Sequence, residues 1–276
     1  MIGLRAIDQL VCGTQSRSQL PLLLVLLSLG VLLTETVNAG EASSISLGPS
    51  ALSFRYKEFP DNERLRNRED GLLPGVTAGL RLAPGSWRVR LAGSYHGGKV
   101  DYDGATQSGS PHKTETGTDI FDVMVTAGYS FAVGGSVTLA PYLGAGYRYW
   151  RRDILPNAGV RGLLEVYRWP YAMVGLDLGL FQTERFQGGI DVRLIRPIDP
   201  KLDVGISPET TLDLGARTGY RVSLPLRWSF GASQGILFEP FYERQEIGAS
   251  RARNGILEPS SDTDIFAVNL SWRLRF

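Results

Sequence analysis

Hydrophobic and polar positions alternate with a period of two along most of this chain, and nowhere more regularly than over its last eleven residues, Phe266 to Phe276. Phe266, Val268, Leu270, Trp272, Leu274 and Phe276 fall on one face, and Ala267, Asn269, Ser271, Arg273 and Arg275 on the other, the signature of a strand with one apolar side. Nine further segments alternate in the same way, at about 44–57, 73–83, 87–100, 118–132, 137–153, 163–181, 186–197, 211–230 and 236–249. Short turns such as Pro84-Gly85-Ser86 and Gly134-Gly135-Ser136 take turns with long polar connections: Pro60 to Gly71, Asp101 to Gly117, the stretch around Pro156 to Gly159, Asp199 to Thr210 and Arg251 to Asp262. The pattern predicts an all-β, antiparallel, up-and-down barrel of ten strands, with eight and twelve as the neighbouring even counts.

A chain that ends inside a regular strand on an aromatic residue resembles the bacterial outer-membrane β-barrel proteins. In that class the last strand closes the barrel, and the terminal residue, here Phe276, is similar to the signal read by the barrel insertion machinery. The resemblance implies a transmembrane barrel, with the short turns on the periplasmic side and five long loops outside. The N-terminal residues fit this expectation. Leu20 to Leu33 is an apolar run preceded by Arg5 and Arg17 and followed by Val37-Asn38-Ala39, which reads as a secretory signal over residues 1–39 and a single barrel domain over 40–276. The run is shorter than the ~20 residues of a spanning helix. Cys12, the one cysteine, falls within the signal, so the mature barrel is expected to hold no disulfide, thiol nucleophile or cysteine metal site.

A soluble barrel also alternates, with its apolar face inside. The character of the faces favours the membrane: the apolar one is long and ends on Trp87, Phe131, Phe181, Phe230, Trp272 and Phe276, as in an aromatic girdle, while the polar one mixes charges with Gly and Ser. With the apolar face outward, an interior charge network is predicted from Arg148, Arg152, Glu165, Asp177, Asp191, Arg193, Asp213, Arg217, Arg221, Arg227, Glu239, Glu243, Arg273 and Arg275, joined by Arg55, Arg81, Arg88, Arg90 and His96. Charges in so narrow a lumen have to pair, and Glu239 and Glu243 are the expected partners of Arg273 and Arg275. A salt-bridged, sealed lumen is the first expectation, and a narrow anion-favouring pore is the alternative.

Charge and chemistry add less. A formal net charge of +1 argues against a nucleic-acid partner. Among ten-stranded outer-membrane barrels, the omptin proteases have a site that resembles an Asp pair facing an Asp-His pair. Asp101 and Asp103 have the Asp-x-Asp spacing, but the only histidines are His96 and His112, and the fourth loop has none, so the partner dyad is missing. His96 with Ser94 on the inward face does not suit a lipid A deacylase or acyltransferase. No catalytic, cofactor or metal site is assigned. Tyr149, Arg151 and Arg168 share an outward face near the tops of neighbouring strands and form a candidate contact for lipopolysaccharide phosphates, similar in kind to the omptin lipid-phosphate site. The sequence thus predicts a monomeric, non-enzymatic outer-membrane barrel with a structural or surface-interaction role, in contact with outer-membrane lipid and lipopolysaccharide. An outer-membrane peptidase or lipid A modifying enzyme is the other class.

Overall fold

The computed structural model describes residues 42–59, 67–105, 109–206 and 209–276. The expected signal, residues 1–39, lies outside them. Ten antiparallel barrel strands follow one another: β1 (Ser44–Phe59), β2 (Asn67–Leu82), β3 (Trp87–Ala105), β4 (Pro111–Tyr129), β5 (Val137–Ile154), β6 (Leu163–Gln182), β7 (Phe186–Pro197, resumed at Lys201–Val204), β8 (in four pieces: Thr210–Asp213, Gly215–Ala216, Gly219–Ser223 and Leu226–Ser229), β9 (Gln234–Gly248) and β10 (Ser260–Arg275). Each strand pairs with its chain neighbour, and β10 pairs with β1 from Ser44↔Arg275 to Phe59↔Ser260. The ring is closed, so each of the ten strands has a strand on either side, which is the condition for strands to cross a bilayer.

In the half of the barrel nearest the short turns, the apolar face points outward. Trp87, Leu91 and Tyr95 of β3, Phe121 and Val125 of β4, and Leu143 and Tyr147 of β5 are all exposed. At the turn end, rings touch to form a belt: Trp87 packs on Tyr129, Tyr129 on Phe131, and Phe230 on both Trp228 and Trp272. Tyr95, Phe121, Tyr147 and Tyr220 make the opposite margin. An outer apolar band of this extent between two aromatic belts belongs in hydrocarbon.

Above the second belt the wall continues, and its polarity inverts. A spanning strand needs about 9–11 residues, whereas β3 and β4 have 19 each. Their upper halves expose Lys99, Asp101, Asp103, Lys113 and Glu115 while burying Val100, Tyr102 and His112 inside. The connection expected as a loop over Asp101 to Gly117 is therefore mostly ladder, running to Asp103↔Lys113 and Ala105↔Pro111. The same correction applies to Asp199 to Thr210, where Lys201–Val204 pairs with Glu165 to Arg168 of β6, and to Pro60 to Gly71, whose last residues open β2. These stretches are loop-like in composition because their outward face meets water; their inward residues, including Leu202 and Val204, are buried.

Three predicted inward residues face out for related reasons. β8 was expected to keep one parity over 211–230, but it is broken at Leu214 and again at Arg217-Thr218. Leu212 and Leu214 turn inside, leaving Asp213 and Arg217 exposed, with Asp213 held by Lys201 at 2.5 Å. On β1 the apolar face crosses from Ile45 and Leu47, which are exposed, to Leu52, Phe54 and Tyr56, which are buried. Arg55 consequently lies outside.

Candidate functional site

Side chains fill the interior of the barrel in layers, and each layer follows from strand parity. On β6, Glu165, Tyr167, Trp169, Tyr171 and Met173 point inward between the exposed Arg168, Pro170, Ala172 and Val174. Room for the rings comes from glycine on the neighbouring strand: a Cβ on Gly146 would overlap the Tyr171 ring, and one on Gly175 the Tyr142 ring.

At the loop end the layer is centred on Arg152 of β5, which is 1% exposed. Its Nη1 reaches Glu165 Oε2 at 2.5 Å and Glu58 Oε1 at 3.0 Å, and its Nε reaches Glu69 Oε1 at 2.8 Å. The guanidinium also lies 4.7 Å from the Tyr56 ring. Thr116 donates to Glu69 at 2.8 Å and Asn67 to Glu58. Strands β1 and β6 stand opposite each other in a ring of ten, yet the Tyr56 and Tyr167 hydroxyls are 3.2 Å apart, and both donate to Glu258 Oε1, at 3.2 and 2.6 Å. Trp150 stacks on Tyr167 with centroids 4.6 Å apart and takes Phe54 and Tyr56 edge-on. Four glutamates thus surround one arginine. Glu258 lies in the last loop, outside the strands, and burial, followed by the nearby Glu58 and Glu165, holds its carboxyl well above the ordinary range.

One layer further in, Glu243 of β9 is fully buried between Arg148, at 2.5 Å, and Arg221, at 2.6 Å. Arg148 also holds Asp122 at 2.8 Å, and Tyr171 donates to the other Asp122 oxygen at 2.9 Å. The Arg221 guanidinium sits 4.0 Å from the Phe241 ring. His96 bonds Ser50 Oγ at 2.8 Å, which in turn donates to Asn269 at 2.6 Å. Toward the turns, Arg193 pairs with Asp191 at 2.6 Å, Arg90 with Glu239 at 3.4 Å and Arg81 with Asp177 at 3.8 Å. Among the described residues, cavities of about 590 and 460 Å³ including their mouths open there.

The predicted interior residues Arg148, Arg152, Glu165, Asp177, Asp191, Arg193, Arg221, Arg227, Glu239, Glu243 and Arg273 take part in these layers or line these cavities. Their pairing differs from expectation at the last strand. Glu239 meets Arg90 and Glu243 meets Arg148 and Arg221, whereas Arg273 donates to Ser44 Oγ at 3.1 Å and Arg275, at the turn-end rim, to the Gly231 carbonyl at 2.6 Å. Glu58, Glu69 and Glu258 were missed because they fall in or beside stretches read as loops. The signal that marks Glu58 is the inward run Leu52, Phe54, Tyr56, which it continues at the same parity.

Asp101 and Asp103 face outward, with Asp103 paired to Lys113 at 2.8 Å. His112 is buried on the inner face of the same hairpin beside the Tyr102 ring, so the wall of the sheet separates it from both aspartates. Among the described residues no group of three or more His, Cys, Asp or Glu side chains is arranged to hold a metal ion. Tyr149 and Arg168 are register partners. Arg151 is held by Asp153 at 2.8 Å and Asp119 at 3.4 Å, and Arg168 by Asp203 at 2.9 Å. Phe276 is exposed, and its N–H donates to the Ser43 carbonyl at 3.0 Å.

The Autotransporter beta-domain profile matches residues 44–163. No curated protein matches the chain. Among solved structures, the outer membrane protease OmpT from Escherichia coli aligns with a TM-score of 0.55 at 12% identity, covering 88% of this chain and 99% of that one. The transport unit of the autotransporter AIDA-I from Escherichia coli aligns at 0.45 and 8% identity, covering 90% and 96%. The outer membrane protein OprG from Pseudomonas aeruginosa aligns at 0.42 and 9%, covering 88% and 99%. The likeness to OmpT is one of fold, and with the closed ring, the two aromatic belts and the lipid-facing apolar band it leads to one class: the chain is a bacterial outer-membrane β-barrel protein.

Proposed function

We infer that this protein is a sealed, non-enzymatic barrel that carries a charged, water-facing β-wall above the membrane for envelope or surface interactions. The observation that supports this reading is the contact between Tyr56 and Tyr167, whose hydroxyls meet across the lumen from opposite strands above the filled layer of Arg148, Glu243 and Arg221. Ion pairs shared between facing strands fill the lumen at these levels, in contrast to the wide lumen of 16–18-stranded porins. A non-enzymatic role is supported by the placement of Asp101 and Asp103 on the face of the sheet opposite to His112. The folded barrel in a planar bilayer is expected to give no unit conductance steps. A steady, salt-dependent single-channel current would overturn the sealed reading, and peptide or lipid A turnover that disappears in Asp101→Ala/Asp103→Ala would overturn the non-enzymatic one.

Tyr149, Arg151 and Arg168 serve in the same proposal as a contact for lipopolysaccharide headgroups. They stand just above the outer aromatic belt, and the Arg151 and Arg168 side chains remain 39% and 45% exposed while sharing their charge with aspartates. Arginine at this level suits phosphate oxygens. Arg151→Ala/Arg168→Ala is expected to reduce the lipopolysaccharide that co-purifies with the barrel; an unchanged amount removes the contact.

A further inference from the structure

We propose that the last loop, residues 249–259, is a lid latched over the loop-end mouth of the lumen by the neutral acid form of Glu258, and that it lifts when this carboxyl ionises. The loop is built to move as one piece. Its neck is closed by two bonds, Ser250 N–H to the Glu258 carbonyl and Glu258 N–H to Ser250 Oγ, both at 2.9 Å. Its tip is a two-residue turn over Asn254 and Gly255, both at positive φ, across which Arg253 and Ile256 exchange backbone bonds of 2.8 and 2.9 Å. Ile256 packs against the buried core of the barrel. The tip is tied to β8 by Arg253 Nη1, which donates to the Thr211 carbonyl at 3.0 Å, and by Asn254 Nδ2, which donates to Thr210 Oγ1 at 3.1 Å. None of these bonds involves a group that titrates near neutrality.

Glu258 is the tie that responds to pH. Its Oε1 accepts from Tyr56 of β1 and from Tyr167 of β6, strands on opposite sides of the ring, so the buried carboxyl stands in the middle of the mouth. Glu58 of β1 and Glu165 of β6 are close enough to repel its charge. Arg152 of β5 bonds those two and Glu69 of β2, whereas Glu258 is held by the two phenol hydroxyls. Tyr102 of β3, 6.0 Å from the Arg152 guanidinium, and His112 of β4, beside the Tyr102 ring, line the same level. The inner residues of β7 to β10 there, Val204, Leu212, Ile247 and Ser261, carry no charge. Among the described residues, one guanidinium thus faces four buried carboxyls, and the layer keeps a proton on the acid that does not share Arg152. Glu58, Glu69 and Glu165 are fixed in strands, and only Glu258 sits on a loop that can carry a new charge to water. Once lifted and hydrated, its carboxyl returns to the ordinary value of about 4.3. The latched state holds the proton more tightly, so low pH favours latching. The opening equilibrium grows by up to about tenfold per pH unit as pH rises from the ordinary value to the raised one, and then levels off. Lifting uncovers Tyr56, Trp150 and Tyr167 and leaves the layer of Arg148, Glu243 and Arg221 below in place, so the lid does not depend on the sealed reading.

The test uses the full mature barrel, residues 40–276, which holds no cysteine, refolded in detergent and shown to be folded at each pH by its heat-modifiable gel migration. Ile256→Cys, at a half-buried position of the latched loop, reports lifting through its rate of alkylation by a charged maleimide. Leu257→Cys, at a position 47% exposed in the latched loop, is the reference, and the ratio of the two rates cancels thiol ionisation. This ratio is expected to rise by about tenfold or more between about pH 6 and 8. In the Glu258→Gln background it should stay flat, because the amide carbonyl still accepts from both tyrosines and does not ionise. If Ile256→Cys does not fold, hydrogen exchange of the loop amides, compared between the parent barrel and Glu258→Gln at each pH, takes its place and should diverge in the same sense. A flat ratio in the parent barrel, or the same rise in Glu258→Gln, overturns the proposal. A single-channel current that grows with pH in the parent barrel and not in Glu258→Gln would sink the sealed reading and leave the latch standing; a flat ratio in a silent barrel would do the reverse.

Discussion

Arg152→Met is expected to lower the stability of the folded barrel by about 3–5 kcal/mol, the cost of removing one partner from a buried ionic cluster. Among the described residues Arg152 is the cation bonded to Glu58, Glu69 and Glu165, and all three glutamates are buried. With methionine in its place the packing volume is largely kept, but the carboxylates lose their counter-charge and their N–H donors together. The methionine also gives up the cation-π contact with Tyr56. Unfolding in urea from detergent micelles or lipid vesicles, followed by loss of heat-modifiable migration, measures the effect. Arg151→Met, one residue away on the outer face, is the control. Its two aspartate pairs are more than a third exposed on the arginine side, so its loss should cost within about 1 kcal/mol. The Arg152→Met penalty should shrink toward acidic pH, because carboxylates left without a cation become neutral by taking protons and the folded state then binds more protons than the unfolded one. Equal stability of the two variants would mean that the glutamate layer is wetter than its burial indicates.

Glu243→Leu should be comparably destabilising, by about 3–5 kcal/mol, from the opposite sign of charge. Glu243 is the acid between Arg148 and Arg221, and without it Arg148 keeps Asp122 while Arg221 loses its carboxylate beneath the Phe241 ring. The informative comparison is Glu243→Leu/Arg221→Met. Removing this pair as a unit leaves Arg148 and Asp122 balanced, and apolar residues of similar volume in place of a buried ion pair are often neutral or better. The double variant should therefore recover most of the loss, and a double-mutant cycle reads the coupling directly. Additive losses in the double variant would show that the two residues act independently.

Much of this architecture is legible as alternation. The parity of β6 put Glu165 and Asp177 inside and Arg168 outside, and the terminal strand fixed that β10 closes against β1; both hold in the structure. Parity divides a strand into two faces, but it does not say which medium each face meets at a given height. That is set by where the hydrocarbon ends, and the same strand passes through both media. On β1 the apolar residues change face between Leu47 and Leu52. Within the lipid, apolar side chains turn outward because there is no water to leave; above it they turn inward for the ordinary hydrophobic reason.

Strand count, closure, the aromatic belts and the inward arginines other than Arg55 and Arg217 were determined by the sequence itself, since period-two patterning and aromatic position are local properties. The tertiary structure decided what no local pattern contains. It brings Glu58, Glu69 and Glu165 from three separate strands onto Arg152, and Tyr56 and Tyr167 from opposite sides of the ring onto Glu258. It also breaks β8 so that Asp213 and Arg217 leave the lumen. Contacts across a closed barrel join residues far apart in the chain, and their geometry exists only once the ring has closed.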